Sequence, residues 1–393
     1  MAFKVLIVDD EPDLEVLIRQ RFRKRIKDGE FEFVFAHNGQ EALNRLKDDP
    51  TLDVIMSDIN MPVMDGLTLL SRLTDINRIL KAVIVSAYGD MQNIRTAMNR
   101  GAYDFLIKPI DFADFETTLN KTIQELETIK QGLQAREELT AIQHELGVAA
   151  RIQQSILPRQ FPPFPGRTEF EIFAQMTPAR EVGGDFYDFF LIDTDRLAFV
   201  IGDVSGKGVP AAIFMAVCRT LLKATALQGG SAGECVKYTS DVLTQQSDTA
   251  MFVTVFYGIL HTHTGELEYC IAGHNPPYLI SKSGDSRQLT EPSGMIAGAF
   301  ETASFETGRL TMQPDETIFL YTDGVTEAAS ATGEFFSDER LHKLLGRTPG
   351  GSAEDIVTNV LAEVRIFAAG VPQSDDITAM AVTFKDVLAS GNR

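Results

Sequence analysis

Cysteine is scarce in this 393-residue chain: Cys218, Cys235 and Cys270 are all there are, and no two form a CxxC pair. Such usage argues against a disulfide framework or a thiolate zinc site and fits buried free thiols in a reducing compartment. Long apolar runs are missing too. No 18 consecutive apolar residues occur, and the first apolar run stops at Asp9 and Asp10, so neither a signal peptide nor a membrane span is expected. Basic residues are outnumbered, 36 against 55 acidic ones, for a net charge of −19. That imbalance opposes nucleic acid and anionic lipid as partners, and a cytoplasmic protein is expected. What is present is ordinary globular composition, 44% hydrophobic and 23% charged, with room for two or three domains.

From residue 1 to 120, short runs rich in Val and Ile alternate with segments of helical period: Lys4 to Val8, Phe31 to Phe35, Val54 to Met56, Ala82 to Val85 and Phe105 to Ile107. Five β-α repeats predict an α/β domain with a doubly wound, five-stranded parallel sheet. Chemistry in that architecture collects at the strand ends. There stand Asp9 and Asp10, Asp58, Ser86, and Lys108 followed by Pro109. Clustered carboxylates repel one another unless a hard divalent cation neutralises them, which suits Mg2+. Asp58 could then act as a nucleophile on a phosphoryl donor, its product held by the metal, Ser86 and Lys108. The segment resembles the receiver domain of bacterial two-component response regulators over its whole length. The resemblance implies that Asp58 accepts a phosphoryl group from a cognate histidine kinase. It also implies that Asp9, Asp10, Asp58 and the Asn60 carbonyl hold Mg2+, and that Phe105 is the aromatic switch residue.

Proline is absent between Asp111 and Leu157, and apolar residues recur at three- and four-residue steps: Leu119, Ile123, Leu126, then Leu139, Ile142, Leu146 and Ala149. That spacing predicts a long helix with a narrow apolar stripe. Between two domains, such a stripe is covered most readily by its twin, so a helical coiled-coil linker over 121–157 and a homodimer are expected. The alternative is a helix packed on its own domain, because Lys130 interrupts the stripe and Gly132 loosens it. The proline-rich Pro158 to Gly166 marks the next boundary, and a third domain is placed at 158–388.

Within that domain GDVSGKGVPAA, Gly202 to Ala212, imitates a nucleotide loop, but its glycine-to-lysine spacing is one residue short and Gly208 stands where a hydroxyl is needed. What remains is Asp203 at a strand end, followed by a turn that glycine permits. Asp185 in VGGDFYD, Asp323 in YTDGVTE, and Asp375 with Asp376 in SDDIT share that setting. Acids at several strand edges point to an all-carboxylate centre for two Mg2+ or Mn2+ ions, which can ready a water for attack on phosphorus.

VGGDFYD, GDVSGKGVPAA, AGHNPP, TDGVTE and DDIT, in that order, resemble the bacterial SpoIIE/RsbU branch of the type 2C metal-dependent protein phosphatases. The resemblance implies an α+β sandwich of two antiparallel sheets flanked by helices, with metals held by Asp185, Asp203, the Val204 carbonyl, Asp323 and Asp375. It also implies that Glu145 to Pro158 is a helical lead-in that relays regulatory signals. Eukaryotic relatives carry a histidine two residues after the turn aspartate; here Ser205 stands there, so no proton donor is assigned. Arg180 is a candidate for substrate phosphate. His274 in AGHNPP reads as a loop-pinning residue rather than a catalytic one. GGDFY is not a GGDEF cyclase signature, because Phe186 occupies the second acid position.

The function expected is a response regulator in which Asp58 phosphorylation controls a serine/threonine phosphatase acting on a phosphorylated anti-sigma-factor antagonist. The alternative is a catalytically silent domain that sequesters a partner.

Overall fold

The computed structural model describes residues 2–73, 79–246, 251–347 and 350–385. Residues 386–388, the end of the expected third domain, lie outside that set. The chain divides into two compact units, Met1–Ile142 and Gln143–Arg393.

In the first unit five parallel strands lie in the order Phe31–Ala36, Phe3–Val8, Val54–Asp58, Lys81–Ala87, Asp104–Lys108. Alternation along the first strand shows why it reads as a continuous apolar run: Val5 and Ile7 enter one core layer, Leu6 and Val8 the other. The sheet is thus covered on both faces, as expected.

A helix runs over Phe112–Ile156 without a break. The apolar stripe expected to await a twin is already partly used. Phe115, Leu119, Ile123 and Leu126 are buried in the core of the first unit. Lys130 continues the attachment by pairing with Asp53, just ahead of the strand that ends in Asp58. Only past that point do large apolar residues emerge: Leu133, Leu139 and Ile142 are exposed.

The second unit is a sandwich. One sheet runs Ser293–Gly294, Glu266–Ala272, Val253–His261, Arg196–Val204, Phe186–Leu191, with Gly308–Thr311 also paired to Glu266–Ala272. The other runs Ser286–Gln288, Tyr278–Ile280, Thr317–Tyr321, Ile377–Phe384, Phe170–Thr177. Pairing is antiparallel throughout except for the short Ser293–Gly294 strand. Strand periodicity again sorts the side chains. Ile318, Leu320, Met380 and Val382 face the inter-sheet core, while Phe319, Tyr321, Ala379 and Ala381 pack against the helix Ala353–Phe367.

The helices Val209–Ala226 and Ala232–Gln246 contribute Met215, Cys218, Cys235 and Leu243 to the main core, and all three cysteines are buried free thiols. The helix Val209–Ala226 corrects the expectation that no segment suits a membrane. Its 18 residues have a mean hydropathy of 1.4, long and apolar enough to cross one by length and composition. A count of uninterrupted apolar residues misses it, because Arg219 and Lys223 break the run. In the fold Ala211, Met215, Cys218, Leu222 and Ala226 are buried, whereas Ile213 and Val217 are exposed.

Candidate active site

The first unit gathers its acids at the expected edge of the sheet. Asp9, Asp10 and Asp58 each offer an oxygen within 4.8 Å of the others, the first and last buried and Asp10 exposed. Lys108 Nζ lies 2.7 Å from Asp58 Oδ2, 3.0 Å from Asp9 Oδ2 and 3.0 Å from Glu11 Oε1. Burial works against the charged lysine, but these three carboxylates outweigh it and raise its pKa. Burial raises the Asp9 carboxyl, the Glu11 backbone N–H and Lys108 only partly opposing it. The Asn60 backbone N–H donates to Asp58 Oδ1 at 3.3 Å. Ser86 Oγ is fully buried and has no partner among the described residues. A buried hydroxyl without a partner costs stability, and one on the strand next to Asp58 has the chemistry to bond a phosphoryl oxygen. Phe105 is half-buried on the neighbouring strand Asp104–Lys108. Three hard oxygen donors and a lysine fit Mg2+ and a phosphoryl group.

In the second unit the centre is assembled around Asp203, at the end of the strand Arg196–Val204. The next turn carries Gly206 and Gly208 at φ of 89° and 77°, a region that other residues enter only with strain. Helix Val209–Ala226 starts directly after it, with proline in its first turn. Asp185 precedes the neighbouring strand Phe186–Leu191 and is 1% exposed. Its Oδ2 accepts hydrogen bonds from Thr322 Oγ1 at 2.7 Å and Thr378 Oγ1 at 2.6 Å. Asp323 opens a short helix at the end of Thr317–Tyr321, and Asp375 lies two residues before Ile377–Phe384.

The pKa shifts show how closely these acids meet. Burial raises the Asp203 carboxyl to about 7, helped by repulsion from Asp323 and Asp375, while a hydrogen bond with Asp185 opposes the shift. Burial also raises Asp185 far above the usual range, with Asp203 and Asp376 adding to the effect and the two threonines opposing it. Asp323 is raised by burial and by Asp375 and Glu327. Asp203 thus lies in the field of Asp185, Asp323 and Asp375, and Asp323 in that of Asp375.

Among the described residues, no three donors of this centre meet the 4.8 Å spacing of the first unit's trio. Asp203 is instead the member that Asp185, Asp323 and Asp375 each act on. Repelling, partly buried oxygen donors fit hard divalent cations, whose charge would lower every one of these pKa values.

Three contributors escaped the sequence reading, and a fourth, Asp376, was named there without its role. Asp376, unlike its neighbour, faces the backbone: Oδ1 accepts from Ala179 N–H at 2.8 Å, and Oδ2 from Gly184 at 2.7 Å and Asp185 at 3.3 Å. A Cβ at Gly183 would overlap this carboxylate, which explains one glycine of the VGGD pair. Thr322 and Thr378 stood inside quoted motifs but had no evident target. Gln153, on the helix from Phe112, is buried and bonds Gly183 at both backbone groups.

The remaining candidates are also placed. Ser205 Oγ accepts the Phe252 N–H at 2.9 Å, tying down the turn. Arg180 is exposed. His274 is buried; its Nδ1 lies 3.0 Å from Thr254 Oγ1, and Thr254 is the cross-strand partner of Asp203.

Comparison with known proteins agrees with both halves. Residues 5–120 match the response regulator receiver domain family, and residues 193–385 match the family Stage II sporulation protein E (SpoIIE). Protein IcfG of Synechocystis sp. is 35% identical over 266 residues, 61% of this chain and 41% of its own length. Phosphoserine phosphatase RsbU of Bacillus subtilis is 28% identical over 219 residues, 56% of this chain and 64% of its own length. The chain therefore spans about half the length of these curated relatives. Among solved structures, the SiaA-PP2C domain of Pseudomonas aeruginosa shares the sandwich fold, with a TM-score of 0.57 at 22% identity, covering 63% of this chain and 99% of that one. With its five-stranded parallel sheet and its two-sheet sandwich, the chain belongs to the response regulators and joins a receiver domain to a phosphatase domain of the SpoIIE, type 2C family.

Proposed function

We propose that the chain is a response regulator whose output is a metal-dependent serine/threonine protein phosphatase, switched by phosphorylation of Asp58. The observation that carries this reading is the convergence of Asp185, Asp203, Asp323 and Asp375 from four distant motifs onto one partly buried centre.

In this reading Asp203, Asp185, Asp323, Asp375 and the Val204 carbonyl hold two Mg2+ or Mn2+ ions. When bound, such ions supply Lewis-acid polarisation of the phosphoryl group and acidify a water for attack on phosphorus. The chain's own residues set the stage. Thr322 and Thr378 fix the orientation of Asp185, and Asp376 fixes the backbone that presents it. In the receiver domain Asp9, Asp10, Asp58 and the Asn60 carbonyl hold Mg2+. Lys108 and Ser86 take the oxygens of a phosphoryl group transferred from a histidine kinase to Asp58.

Gln153 supports a route from receiver to phosphatase, because one continuous helix leads from Phe112 to the residue that holds Gly183. Exposed Leu133, Leu139 and Ile142 support a homodimer through that helix. The substrate is a phosphoserine or phosphothreonine on a protein of the anti-sigma-factor antagonist type, a class in keeping with the likeness to a phosphoserine phosphatase. The setting is the cytoplasm.

The test compares hydrolysis of p-nitrophenyl phosphate with Mn2+ by the wild type and Asp323→Asn, each with and without acetyl phosphate. The variant is expected to lose nearly all turnover, and equal rates for the two proteins would remove the enzyme assignment.

A further inference from the structure

The turn that carries Asp203 and Val204 also carries a cation. Lys207, between Gly206 and Gly208, reaches across to the loop before the strand Ile377–Phe384. There Nζ donates to the Ser374 carbonyl at 2.6 Å and to Asp375 Oδ2 at 2.8 Å. The other oxygen of Asp375 accepts the Asp376 backbone N–H at 2.9 Å. Each carboxylate oxygen of Asp375 is therefore engaged by the protein itself. The charge of Lys207 is felt further in, where it counters part of the repulsion that Asp375 and Glu327 exert on Asp323.

We infer that Lys207 is a positioning residue of the acidic centre: an internal counter-ion that holds Asp375 until a divalent ion displaces it, and that thereby lowers the centre's affinity for that ion. The inference rests on Asp375 being a metal ligand.

Its physical basis is competition for one oxygen. A partly buried group of carboxylates needs nearby positive charge. An ammonium hydrogen-bonded to Asp375 supplies one unit of it. A divalent ion at about 2.0–2.2 Å from the same carboxylate would stand within a few ångströms of Nζ and repel it. Lys207 can leave without backbone movement, since its side chain is 41% exposed on a flexible four-carbon stem. Until it does, its two hydrogen bonds tie the Asp203 turn to the Asp375 loop across 168 residues of sequence.

Mn2+ titration calorimetry on the full chain tests this, in an Asp10→Asn parent that silences the receiver's ion. Lys207→Gln is expected to bind one ion about three- to tenfold tighter than the parent, a partly exposed charge pair being worth about 1 kcal/mol. Lys207→Arg keeps the charge and is expected to stay near the parent. Equal or weaker binding by Lys207→Gln overturns the inference while leaving the metal centre standing. A parent that takes up no Mn2+ removes the metal centre itself. Thermal unfolding adds a second reading. Lys207→Gln should melt below the parent without Mn2+ and level with it at saturating Mn2+, whereas the same deficit in both conditions would reduce Lys207 to a structural tether.

Discussion

Gln153 grips the peptide unit of Gly183 from both sides, its Nε2 donating to the carbonyl at 2.6 Å and its Oε1 accepting from the N–H at 3.1 Å. Two residues later stands Asp185. The amide thus ties a residue of the long helix to the backbone leading into the acidic centre.

Replacing Gln153 with Ala leaves two buried backbone groups without partners, a cost of about 1–3 kcal/mol for each. We expect a clear fall in melting temperature and a loss of phosphatase turnover that raised Mn2+ only partly restores. Glutamate at the same position keeps the acceptor and loses the donor, so it should fall between. Thermal unfolding and turnover against Mn2+ concentration check both.

The threonines on Asp185 predict a change in metal affinity rather than in fold. Thr378→Val keeps the shape of the side chain and removes one of the two hydrogen bonds to Oδ2. Outer partners of metal ligands are typically worth about 10–100-fold in affinity. A weakening near the lower end is expected for Thr322→Val or Thr378→Val, measured by Mn2+ calorimetry, and unchanged affinity would deny the pair an orienting role.

Asp58→Asn addresses control. The amide cannot be phosphorylated on oxygen and no longer balances Lys108 with a negative charge. Activity of this variant should not respond to acetyl phosphate, whereas the wild type should respond. A retained response would locate the switch elsewhere.

His274 predicts a pH signature. Burial holds its pKa down at about 4 from an ordinary 6.5, backbone groups of Tyr321 and Thr254 opposing burial without outweighing it. Above pH 6.5 the imidazole is neutral whether folded or not, and its contribution to stability is intact. Between 6.5 and 4 the unfolded chain takes up a proton that the folded chain refuses, so stability drains by about 3 kcal/mol in total. Chemical denaturation of the wild type and His274→Asn should diverge over that window and run parallel above it. Parallel curves throughout would mean that the ring is not held neutral.

The receiver fold was legible almost strand by strand, because a doubly wound sheet turns sequence period into geometry: the candidate residues Asp9, Asp58, Ser86 and Lys108 all stand at or next to the ends of their strands. The acids of the second half were legible from their glycines and strand ends. Their supports were not. Asp375 and Asp376 are adjacent and chemically identical, yet one faces the centre and the other the backbone. The placement of Ala179, Gly184 and Asp185, almost two hundred residues earlier, decides between them. The linker was legible as a helix but not in what covers it. Helical periodicity reveals that Leu119, Ile123 and Leu126 share a face, but not whether that face meets a twin or the chain's own receiver, which is where they are buried.

The strand Ile377–Phe384 lies inside its sheet, between Thr317–Tyr321 and Phe170–Thr177, rather than at an edge. It is therefore the keystone between two strands that both precede it in the chain. A growing chain short of it lacks Asp375, Asp376 and Thr378 and has a gap where its partner strands should join. The acidic centre is thereby withheld from every unfinished copy.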